Sequence, residues 1–163
     1  MQIILEGPDG VGKSTLCKYL KNNYKLNYIH NLSDNPNTLE YYLNQINQYN
    51  NVVIDRGNLS ELVYSNVYNR DIRMPWNNQI KFLESFNGIY IICYASNYND
   101  LKTRFMKRGD TDLVTENLRE INGLYKFLAR LLSEKFNNIF ELDISKYNNE
   151  ESMINYFEKI KEI

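Results

Sequence analysis

Cysteine is scarce in this chain: among 163 residues only Cys17 and Cys93 carry a thiol, and both sit inside apolar patterns. That excludes a disulfide-stapled fold and makes each a small buried thiol, with no disulfide expected. A surplus of charge of one sign is lacking too. Nineteen Lys and Arg against 20 Asp and Glu leave a net charge of −1, which provides no polyanion-binding surface. No nucleic-acid partner is expected, and any basic function is local. No uninterrupted apolar stretch approaches the length of a bilayer crossing, and the N-terminal residues lack the basic segment and apolar core of a signal peptide. The expectation is a cytoplasmic protein with no membrane partner. Internal repeats, linkers and low-complexity tracts are absent as well. The length suits one domain, 1–163, able to bury a core. Asn, Tyr, Ile and Lys are plentiful, a bias toward A/T-rich codons without functional meaning.

What is present is an alternation of strand and helix patterns. The periodicity predicts strands at Gln2–Glu6, Asn27–Asn31, Asn51–Asp55, Gly88–Tyr94 and Asn138–Asp143. Helical patterns fill the intervals at Lys13–Asn23, Thr38–Gln48, Ser60–Tyr68, Trp76–Phe86, Tyr98–Lys107, Thr111–Lys135 and Glu150–Ile160, with Thr38 and Thr111 as N-caps and Pro75 suited to a first turn. The Val52-Val53-Ile54 and Ile89-Tyr90-Ile91-Ile92 runs are nearly continuous and apolar, as in parallel strands covered on both faces. An α/β fold with a parallel sheet follows, and in such sheets ligands sit beyond the carboxyl ends of the strands.

The most informative segment is Gly7-Pro8-Asp9-Gly10-Val11-Gly12-Lys13-Ser14-Thr15, a full match to the phosphate-binding P-loop, G-x-x-x-x-G-K-[ST]. It lies between a strand and a helix start, as the mechanism requires. Gly7, Gly10 and Gly12 let the backbone curl until successive N–H groups point into one concavity, and the helix adds its positive N-terminal end. Lys13 brings a mobile ammonium to the β and γ phosphates, Ser14 ligates Mg²⁺, and Thr15 adds a phosphate contact. The expected ATP contacts are Gly7, Asp9, Gly10, Val11, Gly12, Lys13, Ser14 and Thr15. Asp55, closing the third strand, is the second candidate for the Mg²⁺ region. Arg56 after it projects a planar fork over the same cleft, able to hold a phosphate bidentately.

These residues carry a resemblance to the thymidylate kinase and deoxynucleoside kinase branch of P-loop kinases. Leu5-Glu6-Gly7-Pro8-Asp9-Gly10-Val11-Gly12-Lys13-Ser14-Thr15 is similar to that family's F-E-G-x-D-G-x-G-K-[ST]-T. Asp55-Arg56-Gly57-Asn58-Leu59-Ser60-Glu61-Leu62-Val63-Tyr64 is similar to its D-R-[YF]-x-x-S-x-x-A-Y. The resemblance implies a three-layer P-loop fold with a five-stranded parallel sheet in order 2-3-1-4-5, helices on both faces and a small lid. By the same resemblance Asp9 faces the acceptor sugar and the metal region, Arg56 holds the acceptor phosphate, and Tyr64 lies against the deoxyribose. Ser60 falls at the family's serine, and helix packing is an equal reading for Ser60 and Tyr64.

Arg104-Phe105-Met106-Lys107-Arg108-Gly109-Asp110-Thr111-Asp112 looks like the family's mobile lid, about 104–115, although Asp112-Leu113-Val114 replaces its D-R-[IFM]-E. Since the variable P-loop positions hold no basic residue, Arg104 and Arg108 are the expected source of charge on the migrating group. A basic helix end favoured by the dipole is the alternative. The loop after Asp143, about 144–148, is expected against adenine.

The stretch from His30 to Asn50 is shorter than the family's acceptor region and contains no arginine. Tyr41 and Tyr42 are the nearest candidates for stacking on a base, with core packing as the alternative. Arg70 and Arg73 are candidates for replacing the missing acceptor contacts or for a solvated surface. His30, the only histidine, is expected to have a surface or packing role, because phosphoryl transfer needs no histidine. The expected activity is ATP- and Mg²⁺-dependent phosphorylation of a deoxynucleoside monophosphate, dTMP first. A nucleoside 5′-hydroxyl acceptor and a P-loop regulatory ATPase are the alternatives. The partners are nucleotide substrates, and the resemblance implies a homodimer through helices near Ser60–Tyr68 and Trp76–Phe86.

Overall fold

The computed structural model of the chain describes residues 1–107, 115–147 and 149–162. Five strands, β1 (Gln2–Glu6), β2 (Asn27–His30), β3 (Val52–Asp55), β4 (Ile89–Tyr94) and β5 (Ile139–Asp143), form one sheet in the order β2-β3-β1-β4-β5. All four pairings are parallel. Among the described residues the helices are α1 (Lys13–Tyr24), α2 (Leu39–Gln48), α3 (Asn58–Val67), α4 (Trp76–Ser85), α5 (Tyr98–Met106), α6 (Thr115–Ser133) and α7 (Glu150–Ile160).

The strand period of two sorts the apolar residues into two cores. Ile4, Ile54, Tyr90 and Ile92 face one side, where Tyr42 and Ile46 of α2, Leu59 and Val63 of α3, Phe82 of α4 and Tyr125 and Leu132 of α6 cover them. Ile3, Leu5, Val53 and Ile91 face the other, under Leu16 and Leu20 of α1, Leu101 and Phe105 of α5 and Met153 and Phe157 of α7. Each such side chain contributes about 1.5–3 kcal/mol on burial. The expected order 2-3-1-4-5 and helices on both faces are therefore what the chain adopts. Among the described residues no helix is long and apolar enough to cross a membrane.

Thr38 caps α2 as expected, its hydroxyl accepting from Tyr41 N at 3.3 Å. Pro75 differs from expectation. It is the N-cap of α4, with φ −59 and ψ 157, and Trp76 opens the first turn. Helix α3 begins at Asn58, two residues earlier than the periodicity predicts, because the chain reverses within Arg56 and Gly57. Arg108, Thr111 and most of the expected lid lie outside the described residues.

Candidate active site

Strand register brings the site together. Leu5 pairs with Asp55 and His30 also pairs with Asp55, so β1, β2 and β3 end side by side at one edge. The P-loop leaves β1 there and runs into α1. Gly7, Gly10 and Gly12 have φ of 141, 88 and 87, conformations that side chains rarely adopt. Gly7 has a second constraint: a Cβ there would lie 2.5 Å from the Cys93 carbonyl oxygen of β4. Glycine at this position lets the loop lie flat on the sheet edge and turn its N–H groups into the concavity, beneath the N-terminus of α1.

Lys13 is buried, its Nζ donating to the Gly7 and Pro8 carbonyls at 2.7 and 2.9 Å. Burial lowers its pKa, while the Asp55 charge raises it and Arg56 lowers it. Its ammonium thus sits inside the loop that a polyphosphate would fill. Asp55 is buried, and its Oδ2 accepts from Tyr28 Oη at 3.2 Å. Burial, followed by the Asp55 charge, pushes the Tyr28 phenol up to about 12, so it remains a donor. The other carboxylate oxygen of Asp55, Oδ1, is buried without a partner, which is costly for a charged group unless something binds it. Asp55 and Ser14 line one small cavity of about 40 Å³ with Asp9, Lys13, His30 and Arg56. Mg²⁺ is held by one or two carboxylates, substrate phosphates and waters, and an orphaned carboxylate oxygen beside a P-loop hydroxyl fits it.

Arg56 bridges to a second, larger cavity. Its Nη2 donates to Asp9 Oδ1 at 2.6 Å, and its guanidinium stands 4.9 Å from the centre of the Tyr64 ring. Burial lowers its pKa, but Tyr64, Asp9 and Tyr125 raise it by more, and the group is charged at any ordinary pH. The cavity, about 540 Å³, is lined by Asp9, His30, Arg56, Tyr64, Tyr68 and Arg70 among others. That volume is in the range of small-molecule sites. A smaller pocket of about 60 Å³ shares Asn31, Arg56, Tyr64 and Arg70 with it and adds Asn37, Tyr42, Ser60 and Glu61.

The candidates from the resemblance divide here. Arg56, Tyr64, Arg70 and Asp9 line the larger cavity, and Ser60 lines the smaller. Tyr42 is only 2% exposed, donates to Asn37 Oδ1 and lines the smaller pocket, so it is part of the packed wall. Tyr41 gives its hydroxyl to Asn31 Oδ1 at 2.8 Å. Arg73 donates from Nη1 to the carbonyls of Ser33 and Asn35 at 2.9 and 2.6 Å, clasping the loop after β2 to the segment between α3 and α4. His30 is exposed and lines both the P-loop cavity and the larger one. Arg104 of α5 donates from Nη2 to the carbonyls of Ile144 and Tyr147 at 3.4 and 3.2 Å, in the loop expected against adenine.

Glu6, quoted in the resembling motif but given no role there, is fully buried. It accepts from Ser60 N and Oγ at 3.1 and 2.5 Å, from Tyr90 Oη at 3.1 Å and from Tyr125 Oη at 3.2 Å. Burial raises its pKa and the Ser60 and Tyr90 hydrogen bonds oppose that rise. The signal was available: an acid closing an apolar strand that faces a helix on both sides is never there for solubility.

A parallel sheet in this order between two helix layers, with the glycine loop leaving its central strand, defines a three-layer P-loop NTPase fold. No family model and no curated protein matches the chain. Solved structures share its fold. YorR protein of Bacillus subtilis, in complex with phosphorylated GDP, is 24% identical with a TM-score of 0.76, over 99% of this chain and 96% of that one. Deoxyadenosine kinase of M. mycoides with bound dATP is 19% identical with a TM-score of 0.68, over the whole of both chains. The same enzyme with dCMP and dCDP is 20% identical with a TM-score of 0.65, again over the whole of both chains.

Proposed function

We propose that the protein is an ATP- and Mg²⁺-dependent kinase that transfers the γ-phosphoryl group to a deoxynucleoside monophosphate. One observation carries this reading: Arg56 and Asp9 line both the P-loop cavity and the larger cavity beside it. A cation shared by two adjoining sites is what a two-substrate phosphoryl transfer needs, since donor and acceptor must meet in line. In this reading Lys13 and the P-loop amides hold the donor phosphates. Ser14 and Asp55 would hold Mg²⁺, which when bound would supply positive charge against the donor phosphates. Arg56 exchanges part of its bond to Asp9 for the acceptor phosphate, Tyr64 lies beneath the sugar, and Arg70 supplies a second cation at the cleft wall. Arg104 meets the loop expected against adenine, and Arg108 and most of the expected lid lie outside the described residues.

The base is read from Glu61. Its Oε1 accepts from Ser65 Oγ and Arg73 N at 3.0 and 3.2 Å, and the buried carboxylate lines the smaller pocket. An acceptor group at that wall suits a base with an exocyclic amine and opposes a carbonyl edge. This weighs against the dTMP expectation and favours an amino-bearing deoxynucleotide.

A second reading takes the 5′-hydroxyl of a deoxynucleoside as acceptor. It is favoured by the 2.6 Å bond that already neutralises Arg56 and by the unpartnered Asp55 Oδ1, a candidate base. The fold shared with a deoxyadenosine kinase adds to it. We also infer a homodimer. Leu62 of α3, Trp76 of α4 and Leu124, Phe127 and Leu131 of α6 line an apolar groove of about 360 Å³, beside which Phe127 stands 61% exposed. A projecting ring and a hollow on one face suit an isologous pair.

The test is product chromatography with ATP and Mg²⁺ after incubation with thymidine, deoxycytidine, deoxyadenosine, deoxyguanosine and their 5′-monophosphates. Phosphorylated amino-bearing monophosphates bear the proposal out. Turnover of the nucleosides alone replaces it by the second reading, and ATP hydrolysis without any phosphorylated acceptor replaces it by a regulatory ATPase.

A further inference from the structure

Arg56 is held in a backbone conformation that an arginine rarely adopts, φ 71, at the turn between β3 and α3. Left-handed geometry is disfavoured for any residue with a Cβ and persists only where the surroundings over-determine it. We propose that Asn31 is the positioning residue that fixes this turn and so aims the Arg56 guanidinium into the cleft. The inference rests on the reading of Arg56 as the acceptor-binding arginine.

The turn is gripped from two sides. Arg56 N donates to Leu5 O at 2.9 Å, and its carbonyl accepts from Asn31 Nδ2 at 2.8 Å. Asn31 is itself immobile. It is 3% exposed, and its own N–H donates to Asp55 O at 3.1 Å. Its Oδ1 accepts from Tyr41 Oη at 2.8 Å and Gln45 Nε2 at 2.7 Å, while Nδ2 also donates to Gln45 Oε1 at 3.2 Å. The amide therefore spends both donors and both acceptor positions, its full capacity. Rotating the side chain breaks bonds to α2, and rotating the Arg56 peptide breaks the bond to Asn31. Only an asparagine-like amide meets both demands, because a carboxylate has no donor for the Arg56 carbonyl. Helix α2 thus acts on the acceptor site through Asn31, and the hydroxyl of Tyr41 serves that link.

Asn31→Ala is expected to raise the acceptor KM at least about tenfold and to lower kcat, leaving the ATP KM within about twofold. Gln45→Ala removes a comparably buried amide from the same cluster but keeps the bond from Asn31 to Arg56. It should lower the melting temperature similarly without the acceptor defect. Asn31→Asp keeps the shape and both acceptor roles while deleting both Nδ2 donor bonds, and it carries the test if Asn31→Ala does not fold. A second readout needs no activity: NMR of the labelled full chain, reading the Cα shift and HN–Hα coupling of residue 56. The left-handed signature is expected in wild type and Gln45→Ala and lost in the Asn31 variants. Its retention in both Asn31 variants overturns the proposal, and so does an equal acceptor defect in Gln45→Ala. If wild type phosphorylates no acceptor, the reaction reading fails and the NMR comparison alone decides the role of Asn31.

Discussion

Replacing Arg56 by glycine and by alanine separates what the residue does for function from what it costs the fold. Both variants lose the 2.6 Å bond to Asp9 and the contact over Tyr64. They differ in the backbone at φ 71. A left-handed residue with a Cβ costs roughly 1–2 kcal/mol, and glycine escapes that. Glycine gives back about 0.5–1 kcal/mol through the greater freedom of its unfolded chain. Arg56→Gly should therefore be more stable than Arg56→Ala by about 0.5–1 kcal/mol, or about 1–4 °C in melting temperature for a chain of this size. Activity should not follow stability. A hydrogen bond to a charged group contributes about 1.5–3 kcal/mol, so both variants should lose about ten- to a hundredfold in kcat/KM for the acceptor. Thermal melts and acceptor kinetics on the two purified variants measure both. If Arg56→Ala melts at or above Arg56→Gly, the turn is not strained and the reasoning fails.

Glu6 gives a pH test. Burial raises its pKa above the ordinary 4.5, so above that value the native state still holds a proton that the unfolded chain has released. Its contribution is present in full below 4.5 and is lost as pH rises through the folded value. Wild type should lose more melting temperature than Glu6→Gln as pH rises above 4.5, and parallel curves contradict this. For Asp55, Mg²⁺ added to the ADP-bound protein should raise the wild-type melting temperature further, and Asp55→Asn should abolish that increment while retaining the shift from ADP alone. An unchanged Mg²⁺ increment removes Asp55 from the metal site. Phe127→Glu should convert a dimer to a monomer in sedimentation at micromolar protein, with kinetics per chain available from the same samples. A wild-type monomer refutes the inferred interface.

The fold was legible because its signals are local and repeated. β1 and α7 lie where the periodicity places them, and the described ends of the other elements match it or shift by one or two residues, the expected start of α6 lying outside the described residues. The two-sided strands Val52–Asp55 and Ile89–Tyr94 read as parallel because no polar alternation interrupts them. The donor loop was legible from chemistry alone, since three glycines and Gly12-Lys13-Ser14 at that spacing have one use. The acceptor side was not, because its contacts join residues far apart in sequence. The bond from Asn31 to Arg56 spans 25 positions and that from Ser60 to Glu6 spans 54. Tyr41 looked like a stacking candidate by its type, yet its hydroxyl is spent on Asn31. Arg73, by contrast, clasps a loop, a use that no local pattern encodes. Asn31 itself reads as one asparagine among many in a composition rich in them.

The central claim, that two substrates meet across Arg56, is tested most directly by the fate of the γ-phosphoryl group. With γ-labelled ATP, Mg²⁺ and an equimolar set of deoxynucleosides and their monophosphates, label should pass to an amino-bearing monophosphate. Label in inorganic phosphate alone, at the same rate with and without the acceptors, would contradict it.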